Sequence, residues 1–335
     1  MVTLCIISSE RAGKTAICAG VGKNLLRNGK KVGFFKPIIA DTKSVPIEGT
    51  DSDAVFIKHI FALDEPVEYL CPVISDGDNL TGKIKEALAR VSLGKDVVIV
   101  EGISEQYQTS YGMVEALGAK VIVVEGYSKD LSKVKNSYKD FGDHLLGIIL
   151  NKVPGSQLER VHNELSTQFG EVGVKILGVL PEDRALFTLT VDELAEHIQG
   201  EMLNPTEKSV ELVENFMLGT MCVDHGPEYF GRKANKAVVV RSERPDMQLA
   251  ALETSVRCLV LSGNTAPFPV ALYGAEDKGV PIILAKGDTI ATVMSIEDAL
   301  GKTRFNQETK LPNLTEIMEQ HFNFQALYQG LGLTY

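Results

Sequence analysis

At 335 residues the chain is longer than one hydrophobic core usually supports, so two domains are expected. Hydrophobic residues make up 44% and charged residues 23%, ordinary for a globular chain, and no apolar run reaches the length of a membrane-spanning helix. A net charge of −10 without a dense Lys/Arg stripe argues against a nucleic-acid partner, whereas a single nucleotide needs only a local cradle of donors.

The N-terminal run MVTLCIIS has no basic leader or small-residue cleavage site and passes straight into a glycine-lysine turn, so a buried strand is expected there. Five scattered cysteines (Cys5, Cys18, Cys71, Cys222 and Cys258) show no CxxC spacing; reduced thiols and a cytoplasmic location are the expectation. From this strand onward the chain alternates in a βαβ rhythm. A helix through about Arg27 is followed by KVGFFKP, a helical stretch after Asp51, then DVVIVEG, KVIVVEG and LLGIILNKV. The last three runs are apolar throughout, as expected of parallel strands covered on both faces. The first domain is therefore read as α/β, a doubly wound, mostly parallel sheet. A polar, acidic stretch from about Glu193 to Lys208, with Gly200 and Pro205, places the boundary near residue 200, giving domains 1–200 and 201–335. The second half repeats the rhythm in KAVVV, RCLVLSG and VPIILAK, which predicts a smaller α/β unit. Its tail, from Leu311 to Tyr335, reads as a helix with a short irregular end.

The segment CIISSERAGKTAICAG orders a strand, a tight turn and a helix as a phosphate-binding P-loop does. Backbone N–H groups over Ser9, Glu10, Arg11, Ala12, Gly13, Lys14, Thr15 and Ala16 point at the phosphates. Lys14 neutralises them, and the Thr15 hydroxyl is a magnesium ligand. The pattern GxxxxGK[ST] puts its first glycine at position 8, where Ser8 stands, so the turn must form without that residue's freedom at positive φ. Lys36 ends a strand where a cation reaches a transferred phosphate or a substrate carboxylate. Asp51 and Asp53 open a helix, as caps or as hard oxygen ligands. Glu101 and Glu125 both follow buried strands, the position of a metal-binding carboxylate, and spacing does not choose between them. Asn151 follows another strand, where an amide offers the donor and acceptor that an adenine edge needs, or caps the turn.

With SERAGKT, FFKP, TDSDA, VEG, LNKVP and LPEDRAL in this order, residues 1–200 resemble the dethiobiotin synthetase family and its cobyrinic acid a,c-diamide synthase relatives. The resemblance implies ATP and Mg2+ as cofactors, Lys14 and Lys36 as catalytic lysines, Thr15, Asp53 and Glu101 around the metal, and Asn151 at the adenine. It resolves the choice of carboxylate in favour of Glu101. The second half is similar to a DRTGG domain whose motif has drifted, with Ser242-Glu243-Arg244 for GDR and Ser262-Gly263-Asn264 for TGG. The pairing resembles the N-terminal portion of long phosphate acetyltransferases, whose acetyl-transfer domain would lie beyond Tyr335. That implies an ATP- and magnesium-binding regulatory or interaction protein without acetyl transfer of its own. The DRTGG half would then associate into a homodimer or sense a small-molecule effector. The alternative is an ATP-dependent synthetase acting on a carboxylate or carbamate. Against it, EGISEQYQTS replaces the glycine-rich substrate loop after the VEG glutamate. A partition-type ATPase would place a lysine early in the loop, where Glu10 and Arg11 stand.

Overall fold

The computed structural model describes residues 1–8, 12–40, 51–75, 79–102, 107–128, 139–170, 174–220 and 225–334. The chain divides into two compact units, one formed by Met1–Asp183 with Phe305–Tyr335, the other by Arg184–Arg304.

The first unit opens with β1 (Val2–Ser8), α1 (Lys14–Arg27), β2 (Val32–Phe35) and β3 (Ile38–Ala40), followed by α2 (Ser52–Phe61), α3 (Val67–Leu70) and β4 (Val73–Ser75). Next come α4 (Leu80–Ser92), β5 (Val97–Glu101), α5 (Tyr107–Leu117), β6 (Lys120–Gly126), β7 (Leu145–Val153), α6 (Leu158–Gly170) and β8 (Ile176–Pro181). Six strands form one sheet in the order β2-β5-β1-β6-β7-β8, and every pairing is parallel. β5 is buried at every position and β6 across its centre, which is what their unbroken apolar runs predict. Because all six strands point the same way, Ser8, Phe35, Glu101, Gly126 and Asn151 lie at or near one carboxyl edge. β1 sits at its centre, where the winding reverses.

The second unit contributes β9 (Leu189–Thr190), α7 (Val191–His197), β10 (Glu201–Met202), β11 (Leu212–Val213), β12 (Asn215–Leu218) and α8 (Gly226–Phe230). After these come β13 (Lys236–Arg241), α9 (Pro245–Leu252), β14 (Val256–Ser262), α10 (Pro269–Asp277), β15 (Ile282–Leu284) and α11 (Thr289–Gly301). Its sheet runs β10-β15-β14-β13-β12, parallel except for the β10 edge. Alternation along β13 divides the core: Ala237 and Val239 pack toward α7 and α11, Val238 and Val240 toward α8, α9 and α10.

Two sequence expectations need correction. The boundary falls at Asp183/Arg184, not near residue 200, because the polar stretch folds into the second unit. There α7 takes a Thr190–Glu193 capping box, and β10 joins the sheet edge. The tail also belongs to the first unit, not to the second. It forms two helices, α12 (Leu311–His321) and α13 (Phe324–Leu331), separated where Phe322 bridges Gly178 and Asn323 caps α13 through Ala326 N–H. α12 lies on α1 with Met318 against Gly20, so close that a Cβ at position 20 would collide with the Met318 sulfur. A mid-helix glycine costs about 1 kcal/mol relative to alanine, and here it admits the tail. Tyr328 Oη donates to Asn24 Oδ1 at 3.2 Å.

Candidate functional site

The P-loop turn enters α1 through Gly13, which caps the helix at φ 93°, ψ 34°, a conformation that a side chain makes costly. Ser8 stays in register with Val124 as the last residue of β1. Left-handed backbone is therefore not required at position 8, and the glycine missing from the motif has no φ cost there. Ser9, Glu10 and Arg11 lie outside the described residues. Ala12, Gly13, Lys14, Thr15 and Ala16 form the end of the turn and the first turn of α1. The unpaired N–H groups at such a terminus favour an anion.

Lys14 is 9% exposed, and its ammonium donates to the Gly102 carbonyl at 2.8 Å. Burial pulls its pKa down, opposed by the carboxylate of Glu101. Thr15 Oγ1 donates to Glu101 Oε1 at 3.3 Å. Lys36, just past β2, holds Asp53 Oδ2 at 2.7 Å and Asp51 Oδ2 at 3.0 Å, with Glu101 Oε1 at 3.6 Å. Burial lowers the pKa of Lys36, but Glu101, Asp53 and Asp51 together outweigh it and raise the net value. Glu101 is 4% exposed; burial pushes its carboxyl up, against the attraction of Lys36. Its Oε2 is buried and has no hydrogen-bond partner among the described residues.

Five of the expected residues, Lys14, Thr15, Lys36, Asp53 and Glu101, thus meet at one point, and it is Glu101 that is brought to Thr15 and Lys36. The buried, unpartnered Oε2 of Glu101, with Thr15 Oγ1 beside the same carboxylate, suits a cation bridging protein and phosphate oxygens. Among the described residues no three His, Cys, Asp or Glu side chains form a ready-made metal cage. A magnesium ion here would rely on phosphate and water for the rest of its shell.

Asn151 lies on the other side of the loop. Its Nδ2 donates to Ala12 O at 2.8 Å, and its Oδ1 accepts from Lys152 N–H at 2.9 Å, holding Lys152 at φ 63°. Among the described residues these two bonds use one donor and one acceptor direction of the amide, which has two of each. The Asn151 carbonyl accepts from Tyr127 N–H at 2.8 Å. Tyr127 helps line a cavity of about 490 Å3 with Pro154, Gln157, Arg160 and Glu164 at the ends of β6 and β7.

Sequence reasoning missed two partners. Asp51 caps α2 through Ala54 N–H, one of the roles the sequence offered, and also holds Lys36, which the sequence did not suggest. Gly102 supplies a backbone carbonyl, which no side-chain pattern announces.

Among known protein families, the AAA domain model matches residues 3–188 and the DRTGG domain model residues 193–299. The phosphate acetyltransferase of Pseudomonas aeruginosa is 24% identical over 360 residues, covering 96% of this chain and 50% of that protein. The phosphate acetyltransferase of Nitratidesulfovibrio vulgaris is 21% identical over 357 residues, again covering 96% and 50%. The chain spans about half the length of these relatives. Among solved structures, the MinD cell division protein of Aquifex aeolicus aligns at 16% identity, over 56% of this chain and 84% of that one, with a TM-score of 0.36. The CBS and DRTGG domains of a Clostridium perfringens pyrophosphatase align at 12% identity over 46% and 72%, with a TM-score of 0.31. No helix among the described residues is long and apolar enough to cross a membrane.

Proposed function

Because the chain belongs to the AAA domain family that residues 3–188 match, we propose that it binds ATP with magnesium at the Gly13–Ala16 turn and that this binding serves regulation or interaction. The observation that carries this reading is the meeting of Lys14, Thr15, Asp53 and Glu101 at the carboxyl edge of β1 and β5. Lys14 neutralises the outer phosphates and the α1 N–H groups donate to their oxygens. Thr15, Asp53 and Glu101 hold the metal, which neutralises phosphate charge when bound. The Asn151 amide, beside the cavity at Tyr127, suits the nucleoside end.

The second unit associates with a second copy of the chain or takes a small-molecule effector. Support for association comes from large apolar side chains left in solvent: Phe268, Val270 and Tyr273 at α10, and Ile290 and Met294 on α11.

Melting curves test the nucleotide reading. Millimolar ATP with magnesium raises the melting temperature in step with occupancy, and Lys14→Ala abolishes the shift. An unshifted wild-type curve removes it. Sedimentation tests association: the full chain runs as a dimer, and Tyr273→Glu with Ile290→Glu returns it to a monomer.

A further inference from the structure

Lys36 is held unlike a lysine awaiting a substrate. Its ammonium has three protons and faces three carboxylates, at 2.7 Å (Asp53), 3.0 Å (Asp51) and 3.6 Å (Glu101). Two of the three, Asp53 and Glu101, are the groups assigned above to magnesium. The third, Asp51, is fixed by the N-cap of α2, where its Oδ1 also accepts from Ala54 N–H at 2.9 Å. A magnesium ion takes its oxygens at about 2.0–2.1 Å in near-octahedral array. An ammonium 2.7 Å from one of these oxygens occupies the volume such an ion and its shell require, and it is repelled by the divalent charge. The cation and Lys36 therefore exclude each other. The unpartnered, buried Oε2 of Glu101 marks the direction in which the ammonium leaves the carboxylates unsatisfied.

We propose that Lys36 is a built-in counter-cation that closes the metal position until phosphates draw it away. Divalent metal then enters only together with a phosphate-bearing ligand. A triphosphate on the Gly13–Ala16 turn supplies the negative charge that Lys36 exchanges for its carboxylates. As Lys36 moves to phosphate oxygen, Asp53 and Glu101 are freed for the ion. Without such a ligand the ammonium stays, and the acidic cluster does not collect free magnesium. Lys36 is in this respect a specificity-determining residue for the paired ligand. The inference rests on the nucleotide reading for the identity of the phosphate carrier, but the exclusion itself concerns only this chain's side chains and a divalent ion.

The test uses the full chain and Mn2+ as a paramagnetic substitute for magnesium, with bound ion followed by water-proton relaxation. Without any phosphate compound, Lys36→Met binds Mn2+ at least tenfold more tightly than the wild type, and Lys36→Gln repeats the gain. Adding Glu101→Gln to Lys36→Met abolishes it, which locates the ion. Gain of binding is not a product of misfolding, and near-ultraviolet dichroism confirms that the variants are folded. Mn2+ affinities within twofold of the wild type in both variants overturn the proposal. ATP binding to the wild type is measured alongside. A Mn2+ gain without ATP binding removes the nucleotide reading and leaves the exclusion standing, whereas ATP binding without a Mn2+ gain removes the exclusion alone.

Discussion

Gly13→Ala tests whether the loop and Asn151 form one mechanical unit. At φ 93° the new side chain pays for left-handed backbone, about 1–2 kcal/mol. Its Cβ would also stand 2.7 Å from Asn151 Nδ2, inside van der Waals contact. Relief requires the amide to move, which breaks its 2.8 Å hydrogen bond to Ala12 O at a further cost of about 1 kcal/mol. The total is about 2–3 kcal/mol, and a domain of this size melts about 2–4 °C lower for each kcal/mol. Asn151→Ala alone leaves Ala12 O without that donor and costs about 1–2 kcal/mol. In the double variant the steric conflict is gone and the hydrogen bond is lost only once. The two effects therefore fall short of additive by about 1 kcal/mol, while the φ cost remains. Urea unfolding of the four proteins of this cycle measures the coupling. Strict additivity, or Gly13→Ala within about 0.5 kcal/mol of the wild type, would refute the reasoning.

Three further outcomes follow from the same structure. Met318→Ala, removing a buried side chain that lies on Gly20 of α1, destabilises the P-loop unit by about 2–5 kcal/mol and leaves the second unit unchanged, as hydrogen exchange of each sheet would report. Metal affinity has an acid limit. The carboxylate of Glu101 is the binding form, and burial raises its pKa above 4.5. Mn2+ binding by Lys36→Met is therefore lost as pH falls through that raised value, and Glu101→Gln flattens the profile. Lys236 is fully buried, with Nζ donating to Ser255 O at 2.6 Å, and burial lowers its pKa below 10.5. Between the folded value and 10.5 the unfolded chain binds more protons, so stability of the second unit rises with pH across that window, and in Lys236→Met this rise disappears.

The sequence made the sheet and the core of the site legible for a single physical reason. Parallel strands covered on both faces write unbroken apolar runs, and in a parallel sheet the residue after each run falls on the same edge. Lys36, Glu101 and Asn151 are thus expected near Lys14 from the sequence, since each ends or follows a run and β1 feeds the turn. The same signal could not separate Glu101 from Glu125, because both end such runs. Strand order separates them: β5 is paired with both β1 and β2, which sets Glu101 between Thr15 and Lys36. Strand order is a long-range property that a local pattern does not carry. The tail's place in the first unit is not legible in the sequence for a related reason. Amphipathic helices declare an apolar stripe but not the partner that covers it, and only the small residue Gly20 on α1 hints where Met318 belongs. The second unit is consequently an insertion, with Asp183 and Phe305 marking its two ends in the first. A chain that leaves the P-loop unit after β8 and returns to cover α1 ties the helix at whose N-terminus the phosphates would sit to the exit of the second unit. The second unit is thereby joined to the P-loop unit by covalent chain at both of its ends.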